Sequence, residues 1–345
     1  MQPGINRVVF KVFLILSWYY LALLGLWIGG YLVIGDRFRY LGLVNLLAVY
    51  LFSPLPLVLL AAIFYKRLAL WIGFTTGLIA FIFIWGSQFN PLRLTGSRNA
   101  GPTPALTVMT YNVLAWHDHT APIIRTIQHE NPDILFIQEL NNNLARALRE
   151  ELIHIYPDQI LDPTDNPRGI GTISRYPIRE TGILLPDGWI GGPQVLILEW
   201  EGMEITVVNI HMTSTTGISS REHIERTFTL REAQARTLVE FARQQGPTII
   251  SGDANAAPQN NSYRTLTCHL IDAWQEAGFG LGHTFPGSDI PGSDRPQFGN
   301  WSVPQWLSRI DYIFYTSHFK AIKARTALID GVSDHRGVTA SLVVR

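Results

Sequence analysis

The sequence predicts an α/β (α+β) chain: a layered sandwich built around sheets, preceded by an all-α membrane anchor of three helices. Three observations predict it. Three long apolar runs with almost no charge follow one another before residue 90. From residue 105 onwards, strand-like runs alternate with helical ones, the pattern of helices layered on sheets. In that second part, polar residues capable of chemistry stand where the apolar strands stop.

The anchor comes first. Residues 12–34 carry no charge, and about 20 apolar residues suffice to cross a bilayer core of roughly 30 Å. Residues 41–65 form a second run, interrupted by Pro54 and Pro56, and residues 68–85 a third. The first run is expected to be a span rather than a signal peptide, because it is long and two more follow at once. The expected units are therefore a transmembrane anchor over 1–89, a linker over 90–104 rich in Pro, Gly, Asn and Thr, and a catalytic domain over 105–345. Basic residues balance on the two sides of the spans. Arg7 and Lys11 before the first tip the expectation to an inside N-terminus, with the domain on the extracytoplasmic side of a plasma membrane.

Strands are expected over 105–111, 133–137, 170–174, 195–199, 204–210, 248–251, 310–315 and 337–344. Helices are expected over 121–130, 141–153 and 221–244. A long loop, 283–306, holds many Gly, Pro and aromatic residues, and loops of that length often determine substrate.

The formal net charge is zero, but it is unevenly spread. Residues 1–99 hold eight Lys or Arg, one acid and no His. That leaves 19 basic and 26 acidic residues, a formal charge of −7, and all ten His in the second part. Phosphate-gripping domains are usually basic, so this balance argues against a dedicated DNA binder and suits a divalent-cation site. The single cysteine, Cys268, excludes an internal disulfide and a Cys-rich zinc site.

Chemistry-bearing residues gather at strand ends: Asn112, Glu139, His211, Asp253 with Asn255, and Asp334-His335, with Asp311 at the start of its strand. Residues two apart on an extended chain point the same way, so Asp253 and Asn255 can aim at one point. Carboxylates and amides suit an oxygen-ligated hard cation, Mg²⁺ with Mn²⁺ as substitute, and imidazoles suit acid–base work. Each residue also has a plain use. Gly252-Asp-Ala-Asn255 can be an Asx turn, Glu139 a solvated carboxylate, and His211 a core histidine. His117-Asp-His119 looks like a metal site but matches no motif.

Seven segments, in order, resemble the motifs of the endonuclease/exonuclease/phosphatase superfamily: Thr110-Tyr-Asn-Val113, Asp133-Ile-Leu-Phe-Ile-Gln-Glu139, Gly169-Ile-Gly-Thr-Ile-Ser-Arg175, Val208-Asn-Ile-His211, Ser251-Gly-Asp-Ala-Asn255, Arg309-Ile-Asp-Tyr-Ile313 and Ser333-Asp-His335. The resemblance implies a four-layer αββα sandwich and metal-assisted phosphoester hydrolysis. It implies metal ligation by Glu139 with Asn112 beside it, and Asp334 ligating or tuning the metal. It implies water activation by Asp253, charge stabilisation by Asn255, phosphate contact by His211, and acid–base work by His335 held by Asp311. The abasic-site branch has a tyrosine before the segment at Gly169; here Asn166-Pro-Arg168 stands there, and Arg168 can meet phosphate instead. Trp301 and Trp306, with Trp189, can dip into a membrane interface or stack on a base.

The resulting expectation is a membrane-anchored Mg²⁺-dependent phosphoesterase acting on a phosphorylated substrate, lipid-linked rather than nucleic acid, with the bilayer as its partner; the sequence points to no protein partner. The alternatives are a membrane-tethered nuclease and a non-catalytic membrane scaffold.

Overall fold

The computed structural model describes residues 3–95, 104–186, 188–215, 220–287, 295, 297–298 and 301–345. The chain divides into two compact units, Met1–Phe89 and Asn90–Arg345.

The first unit is helical: α1 (Pro3–Val33), α2 (Arg39–Asn45), α3 (Leu55–Tyr65) and α4 (Leu68–Trp85). Stretches Val8–Val33, Ala48–Tyr65 and Leu68–Phe89 are long and apolar enough to cross a membrane. The second stretch is shorter than its apolar run because α2 ends at Asn45 and the helical path resumes only at Ala48. Pro54 caps α3 and Pro56 falls in its first turn, where a missing N–H leaves no bond unmade. The only acid of this unit, Asp36, is buried and accepts from Asn45 Nδ2 at 3.0 Å.

The second unit opens with α5 (Leu92–Thr95). The expected linker 90–104 thus begins as a helical turn, and its residues 96–103 lie outside the described residues. There follow β1 (Leu106–Asn112), α6 (Thr120–Glu130), β2 (Ile134–Gln138), α7 (Asn142–Glu151), β3 (Asp158–Asp162), β4 (Ile170–Ser174), β5 (Ile178–Glu180), β6 (Gly191–Trp200) and β7 (Met203–His211). Then come α8 (Arg221–Arg243), β8 (Thr248–Asp253), α9 (Asn261–Thr267), β9 (Ile271–Asp272) and α10 (Ala273–Ala277). The chain ends with β10 (Gln297–Phe298), β11 (Trp301–Ser302), β12 (Asp311–Tyr315), β13 (Phe319–Thr326) and β14 (Val338–Val344).

Two six-stranded sheets form, ordered β13-β14-β1-β2-β4-β3 and β5-β6-β7-β8-β12-β9. Side-chain alternation explains their packing. Leu106, Val108, Ile134 and Phe136 of the first sheet meet Val207, Ile249 and Ile313 of the second in a core between the sheets. The opposite faces carry Met109, Leu135 and Ile137 against Ile123, Ile127, Leu144 and Leu148 of α6 and α7. On the other side Val208, Ile250 and Phe314 pack on Leu238 and Leu266 of α8 and α9. The four-layer αββα sandwich follows from this burial on both faces of each sheet.

Candidate active site

The inward faces change character along each strand. In β1, Leu106 and Val108 are followed on the same face by Thr110 and Asn112; in β2, Ile134 and Phe136 by Gln138. In β7, Val207 is followed by Asn209 and His211, and in β8, Ile249 by Ser251 and Asp253. Asp311 opens β12 directly opposite Asp253, and His211 is paired with Asp253 from the other side. The dry core between the sheets therefore ends in a polar cluster at one rim.

Two close approaches hold that rim. Gly252 has φ +151°, and a Cβ there would lie 2.0 Å from the Ile210 carbonyl oxygen, so no other residue fits. A Cβ on Gly169 would lie 1.9 Å from the Leu140 oxygen, next to Glu139. Glu139 (φ 59°), Asn255 (φ 49°) and Leu114 (φ 59°) are left-handed without being glycine, a cost that sites of this kind tolerate when neighbours fix the backbone.

Asn112 couples the two sheets' carboxylates: its Nδ2 donates to Glu139 Oε1 at 3.0 Å and to Asp253 Oδ2 at 3.2 Å. The Ala115 amide donates to Glu139 Oε2 at 3.1 Å. Burial and the nearby Asp334 charge push Glu139 up to about 7, against the pull of the Asn112 bond. Burial and Asp311 push Asp253 up to about 6. Among the described residues no Lys or Arg pairs with Glu139, Asp253 or Asp311; their ionic neighbours are His211 and His335.

The two imidazoles are held in opposite states. His211 directs Nδ1 to the Pro167 carbonyl at 3.2 Å, leaving Nε2 3.6 Å from Asp253 Oδ2 and 3.9 Å from Glu139 Oε1. Burial lowers its pKa more than Asp253 raises it, so it is neutral. His335 donates Nδ1–H to Asp311 Oδ2 at 2.9 Å and turns Nε2 towards Asp253 Oδ2 at 3.8 Å. Burial alone would lower its pKa, but Asp311 and Asp253 hold it well above the usual imidazole range. One neutral and one charged imidazole facing a shared carboxylate is an arrangement that separates a base from an acid.

A cation fits this donor set. Several buried carboxylates lie together, and two have pKa values driven towards neutrality, the signature of a negative site short of positive charge. Atoms of Asp253, Asp311 and His335 come within 4.8 Å of one another. The His335–Asp311 bond already satisfies part of that trio, and a protonated imidazole repels a cation. Glu139, flanked by Asn112 and near Asp334, offers the better place.

Most sequence-derived candidates meet here: Asn112, Glu139, His211, Asp253, Asn255, Asp311 and His335 are joined by the contacts above, and Asp334 acts on Glu139 through its charge. Asn255 arrives differently from the extended geometry expected of it. Its left-handed backbone turns Nδ2 back to Met212 O at 3.0 Å and Asp253 Oδ2 at 3.2 Å, so stabilising charge on a phosphoryl oxygen requires one of these bonds to open. Arg168 is exposed beside the His211 edge. Trp306 is half-buried, under the Arg336 guanidinium and against Gly287, while Trp301 is exposed on the β10–β11 hairpin rather than packed into the cluster.

His117 is structural. Nε2 contacts the Val113 carbonyl at 2.7 Å and Nδ1 accepts from the His119 amide at 3.1 Å, so both nitrogens serve the backbone. Sequence reasoning missed the supports. Ser333 Oγ donates to the Asn112 carbonyl at 2.7 Å and accepts from the His335 amide at 3.0 Å. The Phe285 ring packs on His335 at 4.9 Å between centroids. Asn209, two residues before His211 on the same face, accepts from Gln138 Nε2 at 2.6 Å across the sheets. Its signal was present as a polar residue at an inward position of an apolar strand.

A model of the endonuclease/exonuclease/phosphatase family matches residues 109–335. Several solved structures share the fold. A family protein from Bacteroides thetaiotaomicron is 19% identical, with 71% of this chain and 100% of that one covered and a TM-score of 0.52. One from Bacteroides vulgatus is 18% identical, with 70% and 100% covered and a TM-score of 0.53. TDP2 of D. rerio, solved with a single strand DNA product, is 16% identical, with 69% and 98% covered and a TM-score of 0.54. A search of curated proteins found no match.

Proposed function

Because this chain belongs to the endonuclease/exonuclease/phosphatase family, and so is a metal-dependent hydrolase of ester bonds, we propose that it is a membrane-anchored Mg²⁺-dependent phosphoesterase. The bond cleaved is a phosphoester, phosphodiester or pyrophosphate of a membrane-borne lipid phosphate. One observation carries the lipid part: the chain that bears this site also bears three helices apolar enough to cross a bilayer. Tethering raises the effective concentration of a substrate confined to the same membrane. The plasma membrane, with the domain outside, is the side that Arg7 and Lys11 favour.

In this reading Glu139, Asn112 and Asp334 would hold the cation, which would supply charge neutralisation on the phosphoryl oxygens when bound. Asp253, held by Asn112 and the Asn255 amide, orients the attacking water and takes its proton. Protonated His335 gives its Nε2 proton to the phosphoryl or leaving oxygen, and Asp311 fixes the ring so that this nitrogen faces inward. Neutral His211 positions the phosphate from the opposite side. In-line attack, proton removal and leaving-group protonation together account for hydrolysis.

The nuclease alternative draws on the DNA product in the TDP2 structure, a likeness of fold at 16% identity. The −7 charge of the part after residue 99 weighs against it.

The test offers full-length protein in detergent a lipid-linked diphosphate, a sphingomyelin-type diester and supercoiled plasmid, each with Mg²⁺ or chelator. We expect Mg²⁺-dependent phosphate or headgroup release that His335→Ala abolishes, with the plasmid intact. Plasmid nicking lost in His335→Ala would make the protein a tethered nuclease.

A further inference from the structure

A groove of about 570 Å³ lies along the His211 edge of the site, lined by Arg168, Trp189, Thr213, Glu222, His223 and Arg226 among others. Its position follows from the chain. Pro167, whose carbonyl meets His211, precedes Arg168, and Thr213 is two residues past His211, within about 7 Å of it along the backbone.

The groove is built rather than incidental. Gln234, fully buried, donates Nε2 to the Gly188 carbonyl at 3.0 Å and to Thr213 Oγ1 at 2.9 Å, and its Oε1 accepts from the Thr213 amide at 3.1 Å. That staple ties the wall at Gly188 to the strand end at Thr213. The Trp189 indole is fixed by its bond to the Pro186 carbonyl at 2.8 Å and by packing on the core beneath α8.

Its charge is opposite to the domain's. Arg168 and Arg226 are both exposed, and neither guanidinium forms an ion pair with a described residue. Glu222, the one carboxylate among the described lining residues, is engaged by its own amide and by Ser220 at the start of α8, which lower its pKa. Two guanidinium groups without an ion pair among the described residues, beside a fixed indole in a part of the chain with formal charge −7, call for an anion attached to an apolar or ring-shaped body.

We propose that this groove binds a second phosphate of the substrate, gripped by Arg168 and Arg226, while Trp189 packs on the body joining it to the scissile phosphate. The inference rests on the phosphoesterase reading and narrows its substrate to bisphosphorylated molecules. The phosphate could be carried by a lipid headgroup or by a soluble molecule, and both present the same chemistry to the groove.

The test uses the full chain in detergent. Binding of non-hydrolysable α,ω-alkane bisphosphonates of increasing length is compared with that of alkyl monophosphonates. We expect the bisphosphonates to bind about tenfold tighter or better at an optimal length, and Arg226→Gln and Arg168→Gln each to remove about tenfold of that preference. Equal affinity for both classes at every length, or equal loss for both in the variants, would overturn the proposal. Vesicles carrying phosphatidylinositol 4-phosphate or phosphatidylinositol form the lipid arm, where a preference for the former that Arg226→Gln abolishes assigns the source to a headgroup. These binding measurements need no turnover. A protein that prefers bisphosphonates but hydrolyses nothing would refute the phosphoesterase reading and leave the groove assigned.

Discussion

Phe83, in the helical unit, is 85% exposed, whereas Phe136, in the sandwich, is 0% exposed. The contrast extends to whole elements. Leu26, Val33 and Ile79 of the first unit face outward, while apolar side chains of the sandwich strands are buried on both sheet faces. The same residue types are used in opposite senses, the contrast that the membrane anchoring proposed above requires, since hydrocarbon and water impose opposite rules on which surface is exposed. Polar groups follow suit. The first unit hides its one acid, Asp36, behind Asn45, while the sandwich concentrates buried acids at one rim and leaves them short of cations. Stability in both units comes from apolar packing; chemistry is confined to the place where the sandwich departs from it.

The largest expected effect separates chemistry from packing. Glu139→Gln removes one carboxylate from the rim and should lower kcat by about a thousandfold or more. Its melting temperature should hold or rise, because a desolvated charge facing Asp334 is gone. A kcat within tenfold of the parent would remove Glu139 from the site.

The same truncation in both units tests the contrast directly. Phe136→Ala opens a cavity between the sheets and should cost about 3–5 kcal/mol. Phe83→Ala, on an exposed position, should cost less than about 1 kcal/mol in detergent. Denaturant unfolding of the full chain measures both. Similar losses would mean that Phe83 is packed against something and that the first unit is not a lipid-facing body.

Next is the response of the rim to pH and cation. Glu139 rises from an ordinary 4.5 to about 7, and Asp253 from 3.8 to about 6, in the metal-free protein. Both folded values exceed the unfolded ones. The stability they contribute is complete below the unfolded values and is lost as pH climbs through about 6 to 7. For Glu139 the loss is on the order of 3 kcal/mol. Mg²⁺ should therefore raise the melting temperature far more near pH 8 than near pH 5, and Glu139→Gln should flatten most of that difference. An equal Mg²⁺ effect at both values would place the cation elsewhere.

Much of this was legible in the sequence for a physical reason. Strands alternate, so a polar residue that keeps step with an apolar inward face marks the rim, as Asn112, His211 and Asp253 do. Order along the chain showed which strands end in chemistry. Pairing did not show: nothing local reveals that Asp311 lies opposite Asp253, nor that Glu139 and Asn255 adopt left-handed backbones. The edge strands β3 and β13 also escaped notice. Lys320, Lys323 and Arg325 interrupt the apolar pattern of β13, as charges on an edge strand do to prevent further pairing. His117-Asp-His119 has metal-like spacing but matched no motif, and it is a loop folded on its own backbone.

The smallest effect concerns the seam between core and rim. Asn209 belongs to β7 of one sheet, yet its Nδ2 donates to Gly171 O at 2.8 Å and Ile137 O at 3.2 Å in the other. With Gln138 it closes a buried polar link directly below the site. Asn209→Leu keeps the volume but strands the Gln138 amide in a dry core, so stability should fall by about 2 kcal/mol. The kcat should fall less than tenfold, because His211 keeps its own bond to Pro167. The double variant Gln138→Leu/Asn209→Leu decides what that loss means. If the loss includes that of the unpaired Gln138 amide, replacing both side chains with apolar ones should recover that part of the stability, while the Gly171 and Ile137 carbonyls lack the Asn209 donor in either variant, and the two single effects will not add. If the link instead holds the sheets in register for the site, the double variant should be at least as unstable as the sum of the two. The polar rim would then reach further into the sandwich than the catalytic residues themselves.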